Sequence, residues 1–221
     1  MASIIKNILS LFLQENCPLC ERPAIDIVCQ YCQQQIQNSK LKNPRQFWQG
    51  DLPLFAWGSY NGQLKRSIAA LKYDGRVQIG ELLGTWLGKA WLESSIASKV
   101  KKPIVIPIPL HQRKLKERGF NQAQLIARSF CQVTGYALQA QALARIRETD
   151  ALFGLSPEER KTQLQDAFIL DTSFKKRLSN SSVLLVDDIY TTGTTVAEVA
   201  KVLHQNKITL LGVAAIATPK Y

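Results

Sequence analysis

Val183-Leu184-Leu185-Val186-Asp187-Asp188-Ile189-Tyr190-Thr191-Thr192-Gly193-Thr194-Thr195 is the stretch on which the reading of the chain turns. Four apolar residues in a row predict a buried strand of a parallel sheet. Two adjacent carboxylates stand where that strand is expected to end. Four threonines around one glycine follow. Val196, Val199, Ala200, Val202 and Leu203 then recur at helical spacing. Thr195 to Glu198 has the form of a capping box, so the helix is expected to start there.

This order implies a chemistry. A helix start offers free backbone N–H groups and the positive end of the helix dipole. Gly193 allows a tight turn and close approach of a ligand, and the threonine hydroxyls add donors. Together they form a cradle for a phosphate. Asp187 and Asp188 supply acceptors beside it. A carboxylate against phosphate would repel it, so the acids suit the vicinal hydroxyls of a sugar. The stretch therefore predicts a site for a ribose 5-phosphate moiety. The plainer alternative is a capped helix after a strand, with Asp-Asp as a solvated turn.

The stretch closely resembles, without a gap, the phosphoribosyl-pyrophosphate motif of type I phosphoribosyltransferases. The resemblance implies that Asp187 and Asp188 bind the ribose hydroxyls and act in catalysis. It implies that Thr191, Thr192, Gly193, Thr194 and Thr195 bind the 5′-phosphate. It specifies a ligand better than a reaction, because one fold serves many functions.

The remaining chain sets the context. Its 221 residues allow one sizeable domain with an appendage, and 46% hydrophobic residues allow a substantial core. A formal net charge of +11 fits a polyanionic partner. No apolar run approaches a membrane span. Ile4 to Leu13 is interrupted by Lys6 and Asn7, and Ile5, Ile8, Leu9 and Phe12 give a short helix face instead of a leader.

Cys17-Pro-Leu-Cys20 and Cys29-Gln-Tyr-Cys32 form two C-x-x-C pairs. Two tight knuckles bring four soft ligands to one point, as a tetrahedral Zn²⁺ requires. Two disulfides are the alternative, disfavoured by the short intervening loop and the cytosolic look of the chain. Four thiolates leave no open position, so the zinc is expected to be structural. The segment Asn16 to Gln37 is too small for a core of its own without metal. Residues 1–45 are thus expected to form an N-terminal helix and four-cysteine zinc module, and 46–221 the second domain. Cys131, alone in a helical pattern, is assigned to packing.

Lys40 to Asp51 is polar and reads as a linker. Leu54 to Tyr60 is strand-like, Leu64 to Lys72 helical, and Val77 to Ala97 a long helix. Gly80, Gly84 and Gly88 share one face of that helix, which predicts close helix packing and lacks the P-loop pattern. Pro103 to Leu110 predicts a short buried strand ended by prolines. His111, Arg113, Lys114, Lys116 and Arg118 then crowd what is expected to be one loop. A basic loop after a parallel strand can cap a polyphosphate; a solvated loop is the alternative. Asn121 to Gln132 reads as helix, Ala137 to Leu143 and Ala167 to Leu170 as short strands, Lys175 to Arg177 as a basic turn, and Ile208 to Ala217 as the last buried strand. Trp48 and Trp57 lie near basic segments and are candidates for base stacking, with core packing as the alternative.

Cys17, Cys20, Cys29 and Cys32, Leu71-Lys72-Tyr73, Pro107-Ile-Pro109 with Arg118-Gly-Phe-Asn121, and Val183 to Thr195 occur in an order that resembles the ComF family of ComFC type over nearly the full length. The resemblance implies an α/β fold: a type I phosphoribosyltransferase-like parallel sheet flanked by helices, with a small N-terminal zinc module of four cysteines. It implies a cytoplasmic role in natural transformation, at the inner face of the membrane through the uptake machinery. Single-stranded DNA, a ComF-type helicase and other transformation proteins are the implied partners. It also implies a phosphoribosyl pyrophosphate-like ligand with Mg²⁺, and a pyrophosphate role for His111 to Arg118. The same cations, with the net charge of +11, make this loop the expected contact for single-stranded DNA. An active phosphoribosyltransferase acting on a nucleobase or other small acceptor is the alternative. Between Arg145 and Phe168 the chain departs from the family: Leu152 and Gln163 stand where Gln and Asn are expected, while Arg145, Arg147 and Arg160 remain. That segment corresponds to the hood over the acceptor.

Overall fold

The computed structural model describes residues 16–148, 164–179 and 181–219. The apolar face at Ile4 to Leu13 and the hood residues Thr149, Leu152, Arg160 and Gln163 lie outside them. Past the cysteine knuckles the elements are α1 (Gln30–Gln37), β1 (Leu54–Ser59), α2 (Gly62–Tyr73), α3 (Val77–Leu92), β2 (Ile104–Pro107), α4 (Gln112–Arg118) and α5 (Gln122–Thr134). They continue with β3 (Ala137–Leu138), β4 (Leu143–Arg145), β5 (Phe168–Leu170), a 3-10 turn (Thr172–Phe174), α6 (Lys175–Leu178), β6 (Ser182–Ile189), α7 (Thr194–Gln205) and β7 (Thr209–Thr218).

Five strands form one sheet in the order β1-β7-β6-β2-β3, and every neighbouring pair is parallel. β4 and β5 form a separate antiparallel pair. Helices cover both faces. The α/β class with a parallel sheet and a small cysteine module is therefore the architecture found.

β6 is central, and alternation along it divides the core. Leu184 and Val186 point into an apolar cluster with α2, α3 and α5, whereas Val183 and Leu185 point into a second cluster with α7 and the β4–β5 pair. The strand does not stop before the acids. Its ladder with β7 continues through Asp187 opposite Ala215 to Ile189 opposite Ala217, so both carboxylates sit on strand backbone.

The glycine face of α3 packs as expected. A Cβ on Gly84 would lie 2.3 Å from the Ile126 carbonyl oxygen of α5, and one on Gly88 would lie 2.9 Å from Val133 Cβ. The helix itself ends at Leu92, five residues before the expected Ala97. Lys40 to Asp51 is irregular but tied down: the Leu41 N–H donates to the Trp57 carbonyl at 2.9 Å and the Leu54 N–H to the Phe47 carbonyl at 3.0 Å. Trp57 is buried and stacks on Trp86 at 5.5 Å, and Trp48 meets the edge of Trp91 at 5.4 Å. Both tryptophans belong to the core rather than to a base-stacking platform. Among the described residues no helix is long and apolar enough to cross a membrane.

Candidate functional site

The site forms where β6 and β2 end side by side. The two strands are parallel neighbours with Pro107 opposite Val186, so the segments after them emerge at one edge of the sheet. The two acids are not equivalent there. Strand alternation turns Asp188 toward the α2 and α5 side and Asp187 toward the β4 side.

Asp188 is buried. Its carboxylate forms an ion pair with the Lys72 ammonium at the end of α2. Its Oδ1 accepts a hydrogen bond from Gln122 Nε2 at 3.0 Å. The Gln122 Oε1 accepts in turn from the Arg118 guanidinium, which lies 5.7 Å from the centre of the Tyr73 ring. Since Tyr73 follows Lys72, these five side chains close a ring that ties α2, α4 and α5 to β6. Burial pushes the Asp188 carboxyl up, but the Lys72 ammonium and the Gln122 amide outweigh it and hold the group below its ordinary range. Burial likewise lowers Lys72, and Asp188 reverses this to leave it raised.

Asp187 has the opposite balance. Burial, then the neighbouring Asp188 charge, push its carboxyl well above the usual range. Its Oδ1 accepts from the Asp188 backbone N–H at 2.8 Å. On the same side, burial lowers the Arg145 guanidinium of β4 and the charge of Asp187 works against that shift.

The loop between β6 and α7 is built around Gly193, which has φ of 81°. A Cβ there would lie 2.2 Å from the Tyr190 hydroxyl, so both the backbone angle and the space demand glycine. Gly193 also takes the cap position of α7, earlier in the chain than the Thr195 capping box predicts. Glu198 is instead buried and paired with Lys201 at 2.6 Å. Thr191 and Thr192 are exposed, and the Thr192 and Thr194 hydroxyls lie 2.8 Å apart. This turn and the first N–H groups of a twelve-residue helix give donors facing solvent, an arrangement that suits an anion.

The stretch from His111 to Arg118 is a short helix rather than a loop. His111 caps α4, its Nδ1 accepting from the Arg113 N–H at 3.4 Å, and Gly119 closes the helix with φ of 80°. Arg113 is held by Glu117 at 2.9 Å and Glu148 at 2.5 Å. Lys116 is exposed and Lys114 half-buried. Arg118 points back to Gln122.

At the N-terminal end the ligand atoms of Cys17, Cys20, Cys29 and Cys32 all lie within 4.8 Å of one another, and three of the four residues are buried. The Cys20 and Cys29 sulfurs are 3.5 Å apart. Four thiols this close, in two knuckles, fit a cation with tetrahedral thiolate ligands, such as Zn²⁺. The Cys32 backbone N–H brings the Cys29 thiol down to about 7, while burial raises that of Cys32.

No family model matches the chain. It is 31% identical over 193 residues to the DNA utilization protein YhgH of Salmonella typhimurium, covering 86% of this chain and 78% of that protein. Identity to competence protein F of Haemophilus influenzae is 30% over 67% of this chain and 65% of that protein. Identity to competence protein ComFC of Bacillus subtilis is 27% over 85% and 70%. This chain belongs to the ComF family. Among solved structures the ComF chain is similar to an adenine phosphoribosyltransferase from Saccharomyces cerevisiae, with 15% identity, a TM-score of 0.41, and 68% of this chain and 74% of that one covered.

The residues singled out in this ComF sequence fall into two places. Asp187, Asp188, the 191–195 loop and the His111 to Arg118 helix share one sheet edge, and the four cysteines form their own centre. Sequence reasoning marks Lys72 only as part of the Leu71-Lys72-Tyr73 motif, with no role in the site, and misses Gln122 altogether. A glutamine opening a helix carries little signal until the sheet order brings both residues to Asp188.

Proposed function

We propose that this ComF chain is a DNA-uptake factor of natural transformation that binds single-stranded DNA and holds a phosphoribosyl pyrophosphate-like ligand at the end of β6. One observation carries the ligand: an acid pair, a glycine-built turn at a helix start and a cationic helix converge on one edge of a parallel sheet. In this reading the 191–195 loop and the start of α7 take the 5′-phosphate. Asp187 takes ribose hydroxyls, with Asp188 held beside it by Lys72. The cations from His111 to Arg118 face the pyrophosphate. Mg²⁺ on the ligand would supply charge neutralisation, with Asp187 the nearest available carboxylate. The cysteine centre holds structural Zn²⁺. The names of the relatives, DNA utilization protein and competence protein, support the DNA side. A cytoplasmic place at the inner face of the membrane, beside a ComF-type helicase and other transformation proteins, completes the proposal.

The second reading, transfer of the phosphoribosyl group to a nucleobase or another small acceptor, has Asp187 in its favour. A carboxyl held above its ordinary range beside a ligand site can carry a proton.

Calorimetry with Mg²⁺ and phosphoribosyl pyrophosphate tests the pocket. The clean variant is Asp187→Ala, because Asp188→Ala would strip Lys72 of its partner. Asp187→Ala should weaken the ribosyl ligand roughly tenfold, the loss of one charge-assisted hydrogen bond, and leave inorganic phosphate unchanged. Equal affinity of wild type and variant for the ribosyl ligand would remove Asp187 from the site. Pyrophosphate release with a panel of bases would favour the second reading.

A further inference from the structure

We propose that the opposite edge of the sheet, at the N-terminal ends of β2, β6 and β7, is a binding surface for the phosphate backbone of single-stranded DNA. The inference rests on the DNA half of the proposed function and places the contact elsewhere than α4.

These three strands are adjacent and parallel, so their starts lie together. A groove of about 550 Å³ there is lined by Lys101, Lys102, Ser179, Ser181, Ser182 and Thr209. That lining is two ammonium groups and four hydroxyls; the Ser179 hydroxyl donates to the Lys176 carbonyl at 3.1 Å, and the other groups can donate to phosphate oxygens. The chain flanking this lining adds exposed cations close in sequence to it: Lys175, Lys176 and Arg177 on α6, Lys207 before β7, and Lys99 before β2, which lines a neighbouring groove with Arg45 and Trp48. The three segments that feed the edge, 94–116, 172–186 and 199–219, contain no Asp or Glu. Three stretches far apart in sequence thus build one field of a single sign. Such a field attracts a polyanion, and affinity then comes mainly from counterion release.

The helix α4 is a weaker candidate for the same task. Arg113 is shared between Glu117 and Glu148, and Arg118 is committed to Gln122. The groove also fits a nucleic acid better than a membrane surface, since none of the exposed large apolar side chains lines it. It contains no aromatic ring either, so it reads backbone and not bases. The eight residues of β6 separate the two edges by roughly 25 Å. DNA on this edge and a ribosyl ligand at the other end of β6 therefore do not compete.

The test is a titration of fluorescein-labelled oligo-dT, about twenty nucleotides long, into the full chain at several salt concentrations. Lys101→Ala with Lys102→Ala is compared with Lys114→Ala with Lys116→Ala. Each lost phosphate contact on a single strand should lower the slope of log affinity against log salt by about 0.7. The Lys101/Lys102 variant should therefore lose about 1.4 in slope and roughly tenfold to thirtyfold in affinity near 0.1 M salt. Its affinity for Mg²⁺–phosphoribosyl pyrophosphate should be unchanged, which also shows that it is folded. The ligand should not displace the oligonucleotide from wild type. An unchanged slope in the Lys101/Lys102 variant, with loss in the Lys114/Lys116 variant, overturns the placement and leaves DNA binding standing. A wild-type chain that binds vesicles of anionic lipid but no oligonucleotide overturns both the placement and the DNA half of the proposed function.

Discussion

Asp187 and Asp188 are neighbours in sequence with opposite roles in stability. Asp188 is lowered because Lys72 and Gln122 outweigh its burial. A carboxyl lowered by folding adds stability that is present above its unfolded pKa of about 3.9 and is lost as pH falls through the folded value. Asp187 is raised by burial and by Asp188. Its contribution is fully present below about pH 3.9 and is lost as pH rises from there through the folded value. At pH 7, Asp188→Asn should therefore destabilise the fold by about 3 kcal/mol, because it leaves the Lys72 charge partly buried without its partner. Asp187→Asn should raise the melting temperature, by about 2–4 °C for each kcal/mol gained in a chain of this size. It should weaken the ribosyl ligand at the same time, the usual conflict between stability and a binding site. The gain in melting temperature should shrink as pH is lowered toward 4. Thermal melts of both variants between pH 4 and 8 check this, and shifts of the same sign for both would show that the acids share one environment.

At the scale of elements, the α3–α5 contact packs the helix that carries Gln122. Alanine is a better helix former than glycine by about 1 kcal/mol. On Gly84, however, its Cβ would meet the Ile126 carbonyl oxygen at 2.3 Å, a backbone atom that cannot turn aside. On Gly80 the nearest atom is Leu125 Cβ at 3.0 Å. Gly84→Ala should thus destabilise by about 1–3 kcal/mol, the range for overpacking, and Gly80→Ala by less. Urea denaturation ranks them, and a stabilised Gly84→Ala would mean that α5 is free to move away. The four-residue spacing makes this contact legible in the sequence. Apolar runs likewise make β2, β6 and β7 legible, because a parallel strand buried on both faces needs no alternation. The short α4 is not legible, since five basic residues in eight resemble a solvated loop. Its helix depends on the His111 cap, the Arg113–Glu117 pair one turn apart and the left-handed Gly119. The start of α7 escapes a sequence reading because Gly193 caps from a left-handed backbone, with no side chain to mark it. The order that puts β7 between β1 and β6 rests on pairing distant in sequence, and no local pattern records it.

At the scale of the molecule, the cysteine centre and the sheet share one core. Cys17, Cys29, Cys32 and the fully buried Ile36 belong to the same apolar cluster as Phe55, Trp57, Leu64 and Leu71. The boundary proposed between residues 45 and 46 is therefore crossed by packing, with α1 lying against α2. Composition alone suggests that loss of metal would unfold only residues 1–45, because that segment lacks a core of its own. The shared cluster predicts more. Structural zinc sites contribute on the order of 10 kcal/mol in isolated fingers, and without that term the four clustered thiols lose their reason to converge. Ile36 and its neighbours would then leave α2 exposed on one side. The last turn of α2 carries Lys72, the counter-charge of Asp188. Chelation should release one Zn²⁺ per chain and lower the melting temperature of the whole chain. It should also weaken Mg²⁺–phosphoribosyl pyrophosphate binding at a site built from no cysteine. Differential scanning calorimetry with and without chelator reads the first effect, and titration of the ligand into chelated protein, with Mg²⁺ restored in excess, reads the second. A metal-free chain that melts in two separate steps, the larger at the holo temperature, and that binds the ligand unchanged would show that the two parts share a surface without sharing stability.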